Sequence, residues 1–257
     1  MMFENCFLTP PSPLTTKRPR LLELFSGTHS VGKVASKLGY DVVSLDRDMG
    51  AECPFNSGYI SPKHHKCDIM DFDYKQYPPN SFDIITASPV CAWWSILQYG
   101  HIGRFLKRKG RIFTREDIDE DIEEFGVPMV DKLFEIIDYL KPTNYWIENP
   151  ATGKMKEYIP DIIPYHDVDY CKYGFLYKKR TRIWTNIKFE GRLCKKDCSS
   201  ILTFEDGSKI HPDNLGNAKQ TKKIKSHPQS LATTGSRHMR YRLPPQLVYE
   251  LLCDLNY

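Results

Sequence analysis

A chain of 257 residues with 40% hydrophobic and 26% charged side chains can bury one sizeable α/β core plus an appendage, and its formal charge of +4 is too small to mark a polyanion binder by its sum alone. No run of about 18 apolar residues is present and the opening MMFENCFLTPPSPLTTKRPR lacks an apolar signal segment, so neither a membrane-spanning helix nor a secretory leader is expected. A cytoplasmic or nuclear protein is expected, its eight cysteines serving as thiols, metal ligands or catalytic groups in place of a disulfide frame.

Residues 1–18, rich in Pro, Ser and Thr, predict a flexible leader. Leu21-Leu22-Glu23-Leu24-Phe25 then predicts a buried strand, residues 27–30 a tight turn, and residues 31–38 a helix closed by Gly39. A second strand over 41–45 ends at Asp46 and completes a β-α-β unit. Further strands are predicted near 66–69 and over 82–87, then a helix over about 128–140 and strands over 145–147, 165–170 and 182–187. This alternation implies a doubly wound, mostly parallel seven-stranded α/β sheet with its ligand site at the carboxyl ends of the strands. The core is expected over 19–189. Residues 190–236 read as a small irregular region, and 237–257 as a return to the core through the Pro-started helix RLPPQLVYELL.

Charge is uneven along this plan. Arg104, Lys107, Arg108, Lys109, Arg111 and Arg115 crowd one stretch, acids follow from Glu116 to Glu124, and Lys219, Lys222, Lys223 and Lys225 form a second basic run. Solvated surface accounts for such runs as well as nucleic acid does.

Three strand ends carry groups suited to a nucleoside cofactor. The turn in LLELFSGTHSVG places glycine and free amides at a helix N-terminus, without a GxGxxG pattern. Asp46, about 20 residues on, is placed to accept ribose hydroxyls, and Asp68 to accept from an adenine amino group; helix capping is the alternative for each acid.

The fourth strand runs into Ser88-Pro89-Val90-Cys91-Ala92-Trp93-Trp94-Ser95, which presents a thiol at the mouth of the sheet. The next strand runs into Glu148-Asn149-Pro150, and Lys178-Lys179-Arg180-Thr181-Arg182 sets two arginines two residues apart, on one side if extended. Thiol, carboxyl and guanidinium together suit addition of sulfur to carbon 6 of cytosine, proton donation to ring nitrogen 3, and a grip on the carbonyl oxygen.

At these residues the chain resembles the cytosine carbon-5 DNA methyltransferases, in a compact form similar to those of phages and large DNA viruses. The resemblance runs from residue 21 to 186 and returns more weakly at 242–252. SPVCAWWS is similar to the family's Pro-Pro-Cys-Gln loop, ENP to its Glu-Asn-Pro/Val motif and KKRTR to its Gln-x-Arg-x-Arg motif. Val90, Ala92 and Lys178 depart from those patterns, and no clear Gly-Asn-Ser-Val motif precedes the last helix. The resemblance implies a class I, Rossmann-like methyltransferase acting through a covalent Cys91 adduct, with Glu148, Arg180 and Arg182 as its catalytic partners. It implies that Phe25, Gly27, Thr28, His29, Ser30, Asp46, Arg47, Asp68, Ile69 and Pro89 line a pocket for S-adenosyl-L-methionine. It assigns Ser95, Asn149, Arg104, Lys107 and Arg108 to the substrate, with stretch 96–115 closing over double-stranded DNA, a flipped base reaching Cys91, and Trp93 or Trp94 stacking, wedging or packing in the core. The implied protein is a monomer without membrane contact, virus- or phage-encoded and acting in a host cell, with 190–236 as its target-recognition region. A transfer RNA cytosine methyltransferase and a catalytically silent nucleic-acid-binding homologue are the alternatives.

No metal is expected. Cys194-x-x-x-Cys198 with His211 and His227 downstream makes a structural zinc conceivable, but the spacing is looser than a CxxC pair and a four-ligand set is not evident. Cys53, His64, His65 and Cys67 form a second loose group, read as incidental.

Overall fold

Leucine and valine runs too short for helices make the parallel half of one seven-stranded sheet. The structure, a computed structural model, describes residues 18–52, 58–213, 224, 241–253 and 255. The leader up to residue 17, Cys53, the lysines of the second basic run, His227 and most of the stretch 214–240 lie outside the described residues.

In chain order the elements are β1 (Arg20–Leu24), α1 (Ser30–Lys37), β2 (Asp41–Leu45), β3 (Lys63–His65), β4 (Ile84–Ala87), a hairpin of β5 (Phe105–Leu106) and β6 (Arg111–Ile112), and α2 (Glu116–Asp121). A π-turn over Ile122–Gly126 leads into α3 (Val127–Leu140), followed by β7 (Asn144–Pro150), β8 (Tyr165–Asp169), β9 (Arg180–Thr185), the small hairpin β10 (Leu202–Thr203) with β11 (Lys209–Ile210), and α4 (Pro245–Leu252).

The sheet order is β3-β2-β1-β4-β7-β9-β8. Pairs from β3 through β7 are parallel; β9 runs antiparallel to both β7 and β8. This is the doubly wound, mostly parallel sheet expected from the alternation. The third strand corrects the sequence reading, lying at Lys63–His65, because Asp68 instead caps a 3-10 turn over Ile69–Asp71 by accepting from the Met70 amide.

Helices cover both faces. On one, α1 and α4 bury Val31, Val34, Ala35, Leu247, Val248 and Leu251 against β1 and β2. On the other, α3 presents Val130, Leu133, Ile136, Ile137 and Leu140 to the sheet, and Lys141 in the left-handed region followed by Pro142 ends the helix. No described helix is long and apolar enough to cross a membrane.

The strand order reverses between β1 and β4, one successive strand being added on the β2 side and the next on the β7 side, which opens a crevice at their carboxyl ends. Because β9 is antiparallel, its first residues also reach that end, beside the carboxyl terminus of β7.

Candidate active site

A cavity of about 470 Å³ occupies this crevice. Phe25 and Gly27 border it after β1, Asp46 after β2, Asp68 and Ile69 after β3, Cys91 after β4 and Glu148 on β7. Tyr241 and Leu243, from the segment before α4, complete the wall.

Cys91 starts a tight turn whose Trp94 amide donates to the Cys91 carbonyl at 3.2 Å. Three contacts fix the turn. Asn149 Nδ2 donates to the buried Pro89 carbonyl at 2.9 Å, which couples the end of β7 to the cysteine loop. The Lys154 amide donates to the Trp94 carbonyl at 2.8 Å. The Trp94 ring, 1% exposed, lies so close to the π-turn that a Cβ added at Gly126 would meet it at 2.7 Å. Trp94 is thus a core residue, whereas Trp93 borders the cavity and stacks on Phe125 with centroids 4.7 Å apart.

Cys91 is half-buried and not sealed off. Burial pushes its thiol above the ordinary range, Lys179 opposes that and Glu148 adds to it. Glu148, 5% exposed, accepts from Tyr170 Oη at 2.8 Å and from Lys179 Nζ at 3.3 Å, both at Oε1, so Oε2 is the oxygen left for a ligand.

The structure does not bring the two arginines to this point. Register across β8 and β9 sets Arg180 opposite Asp169 and Arg182 opposite Asp167. Arg180 forks onto Asp169 at 3.1 and 2.8 Å, and Arg182 onto Asp167 at 2.7 and 3.1 Å, with the Arg182 guanidinium 3.7 Å over the Tyr165 ring. They do face one side, as the spacing required, but the acids of β8 hold them outside the cavity lining. Lys179, passed over in the sequence, stands there in their place.

At the cofactor end the two acids hold local backbone amides. Asp46 accepts from the amides of Gly27, Asp48 and Met49 at 2.7 to 2.9 Å, and Asp68 from Met70 and Arg47, yet both acids border the cavity. Phe25, Gly27, Ser30, Arg47, Ile69 and Pro89 border it as well. Thr28 and His29 do not. Thr28 is buried and shares a 3.0 Å hydrogen bond with Ser30, and fully buried His29 contacts the Gly50 carbonyl through Nε2 at 2.8 Å and Glu23 through Nδ1 at 3.6 Å. Burial alone would lower the His29 pKa, but Glu23 and the Gly50 carbonyl raise it. Buried Glu23, missed in the sequence, also accepts from the Val31 amide and the Ser44 hydroxyl and so fixes the start of α1; its signal was a lone acid inside LLELF.

The basic stretch is largely neutralised from within. Buried Asp121 takes both guanidinium nitrogens of Arg108 and the ammonium of Lys109, while buried Asp117 takes Arg111. Arg108, expected at the substrate, is thus held in an ion pair with Asp121. Arg104 and Lys107 are exposed and have no side-chain partner among the described residues. Ser95 caps the next turn by accepting from the Leu97 amide.

Away from the cleft, Cys171, Cys194, Cys198 and His211 place their ligand atoms within 4.8 Å of one another. The missing fourth partner of the Cys194–Cys198 pair is thus Cys171, which lies 23 residues upstream of Cys194 in the turn after β8. His64 contacts the Met49 carbonyl and His65 the Tyr77 hydroxyl, so these two are structural.

The chain is 35% identical over 243 residues to the probable DNA (cytosine-5)-methyltransferase of Frog virus 3 (isolate Goorha), covering 91% of this chain and 98% of that protein. Among solved structures it is similar to Entamoeba histolytica methyltransferase EhMeth, with a TM-score of 0.51 at 12% identity over 94% of this chain and 100% of that one. A mutant Spodoptera frugiperda DNMT2 gives a TM-score of 0.43 at 16% identity over 68% of this chain; the chain spans about half of that structure's length, 53%. No family model matches the chain.

Proposed function

The chain belongs to the DNA (cytosine-5)-methyltransferase family, and from that premise we propose that it moves a methyl group from S-adenosylmethionine to carbon 5 of a cytosine swung out of a DNA duplex. One observation carries this reading: a thiol from the β4 loop and a carboxyl group from β7 border the same cavity as the Gly27 turn and Asp46.

The residues present fit that donor. Phe25, Ile69 and Met70 offer apolar faces for a flat base. A carboxylate has about four acceptor positions, and Asp46 uses three of them on backbone amides, which leaves one for a ribose hydroxyl. S-adenosylmethionine, when bound, supplies an electrophilic methyl group on a sulfonium.

Cytosine is too electron-poor at carbon 5 to accept that group unaided. The Cys91 sulfur bonds to carbon 6, the ring π electrons shift toward carbon 5, and a proton held by Glu148 meets ring nitrogen 3 as negative charge develops there. Tyr170 and Lys179 hold Oε1 of Glu148 and leave Oε2 for that contact. After the methyl group is in place, water takes the carbon-5 proton, the freed electron pair re-forms the carbon 5–6 double bond, the carbon 6–sulfur pair leaves on Cys91, and the proton on ring nitrogen 3 returns to Glu148. Arg180 and Arg182 support this site through the β8–β9 register and their acids. Asn149 holds the cysteine loop, Ser95 shapes its exit, and Arg104 and Lys107 supply phosphate contacts. We assign target recognition to residues 190–236, with 19–189 as the catalytic core and 237–257 returning to it.

The test is transfer of labelled methyl groups to duplex DNA and to structured RNA by wild-type protein, Cys91→Ser and Glu148→Gln. Transfer to DNA by the wild type and its loss in both variants is expected. Preference for RNA, or undiminished transfer in both variants, overturns the reading.

A further inference from the structure

Cys171, Cys194, Cys198 and His211 come from three separate places. Cys171 lies in the turn after β8, Cys194 and Cys198 in an irregular loop, and His211 just past β11. All three sulfurs are buried, and no disulfide joins them.

The two histidine–sulfur distances match those of a tetrahedral metal shell, and all four ligand atoms lie within 4.8 Å of one another. Ligands at about 2.3 Å (sulfur) and 2.0–2.1 Å (nitrogen) from one zinc stand about 3.5 to 3.8 Å apart. His211 Nε2 lies 3.6 Å from Cys194 Sγ and 3.4 Å from Cys198 Sγ. The loop between the two cysteines turns tightly, with Lys196 in a left-handed conformation at φ 62° and the Lys195 amide donating to Asp197 Oδ1 at 2.9 Å, which brings both sulfurs to the same side of His211. Lys172 and Lys178 stand close by, through Asp197 and the Cys194 carbonyl, and offset the net negative charge of three thiolates around a divalent ion.

Among its described residues the region has a small apolar cluster. Its strands are two residues long, and its buried cluster consists of the three cysteines with Ile201 packed against them. Units this small need a staple because their apolar core is insufficient. A soft three-sulfur, one-nitrogen set in tetrahedral reach selects zinc.

We propose that Cys171, Cys194, Cys198 and His211 form a structural zinc site that fastens the segment after residue 190 to the edge of the catalytic sheet. This inference stands apart from the methyl-transfer reading, since it rests on other residues. It does connect to that site: the Cys194 amide donates to Asp169 at 2.7 Å, Asp169 grips Arg180, and Cys171 follows Tyr170, the donor to Glu148.

The test uses the full chain, expressed in zinc-supplemented medium, dialysed, and analysed by elemental mass spectrometry. About one zinc per chain is expected. Replacement by cobalt(II) should give a thiolate charge-transfer band and the intense visible bands of a tetrahedral site. His211→Cys should keep the metal with shifted cobalt bands, and Cys198→Ser should lose most of it. Stripping the zinc should lower the melting temperature of the wild type. Folded wild-type protein that retains less than about a tenth of an equivalent after incubation with zinc chloride, with these thiols freely reactive or two of them joined as a disulfide, would overturn the proposal.

Discussion

Lys179 Nζ lies 3.3 Å from Oε1 of Glu148, and both groups border the cavity that holds Cys91. One cation thus contacts the proposed acid and acts electrostatically on the proposed nucleophile. Burial raises the Cys91 thiol, Glu148 raises it further, and Lys179 is the group that opposes them. Lys179→Met should move the pH curve for alkylation of Cys91 to more alkaline values and reduce methyl transfer at neutral pH by about tenfold or more. Iodoacetamide labelling followed by peptide mass spectrometry reads the first effect; an unmoved curve contradicts the assignment.

Asn149→Ala removes the donor to the buried Pro89 carbonyl. Leaving that carbonyl unpaired should cost about 1–3 kcal/mol, and the cysteine loop should lose its fixed position. Thermal melting should show a drop, and kcat should fall more than the binding of S-adenosylmethionine weakens. A variant with wild-type kcat rules out the positioning role.

At Gly126 the constraint is steric, since any Cβ would sit 2.7 Å from the Trp94 ring. Gly126→Ala should destabilise the fold by about 1–3 kcal/mol, the usual range for overpacking. Valine or phenylalanine at position 94 should relieve part of that cost in the double variant. Additive losses in denaturant melts would show that the two positions do not meet.

The basic hairpin should be sensitive to acid. Burial would raise the Asp121 carboxyl, yet Arg108 and Lys109 hold it below the ordinary carboxylate range. A carboxyl group lowered by folding stabilises above its unfolded pKa, and that stabilisation fades as pH falls through the folded value. Hydrogen-exchange protection over residues 105–112 should therefore decline below about pH 4, and Asp121→Asn should reproduce the loss at neutral pH. Unchanged protection in that variant contradicts the pairing.

Most of the sheet was legible because a buried parallel strand announces itself as an apolar run ending in Gly, Asp or Pro. The seven strands of the sheet and three of the four described α-helices fall within a few residues of the positions the pattern gives. Cys91, Glu148, Asp46 and Asp68 were legible too, since each stands at such an end. Long-range register was not. The Asp-x-Asp of β8 faces the Arg-x-Arg of β9, so the two arginines that draw attention in KKRTR are held by Asp167 and Asp169 while Lys179 reaches the cavity. The same limit hid Cys171, which joins Cys194 and Cys198 only after β8 and its turn are laid against the loop. His29 and Thr28 looked like cofactor contacts in a glycine turn, but the left-handed conformation of His29 turns it inward to Glu23.

The most direct measurement uses duplex DNA carrying 5-fluorocytosine, incubated with the protein and S-adenosylmethionine. Fluorine at carbon 5 cannot depart as a proton does, so the sulfur–carbon 6 bond should persist and survive denaturing electrophoresis. The account predicts a protein–DNA adduct whose modified peptide contains Cys91, absent without the methyl donor and absent in Cys91→Ser. An adduct at another residue, or methylation of ordinary DNA by Cys91→Ser at the wild-type rate, would contradict it.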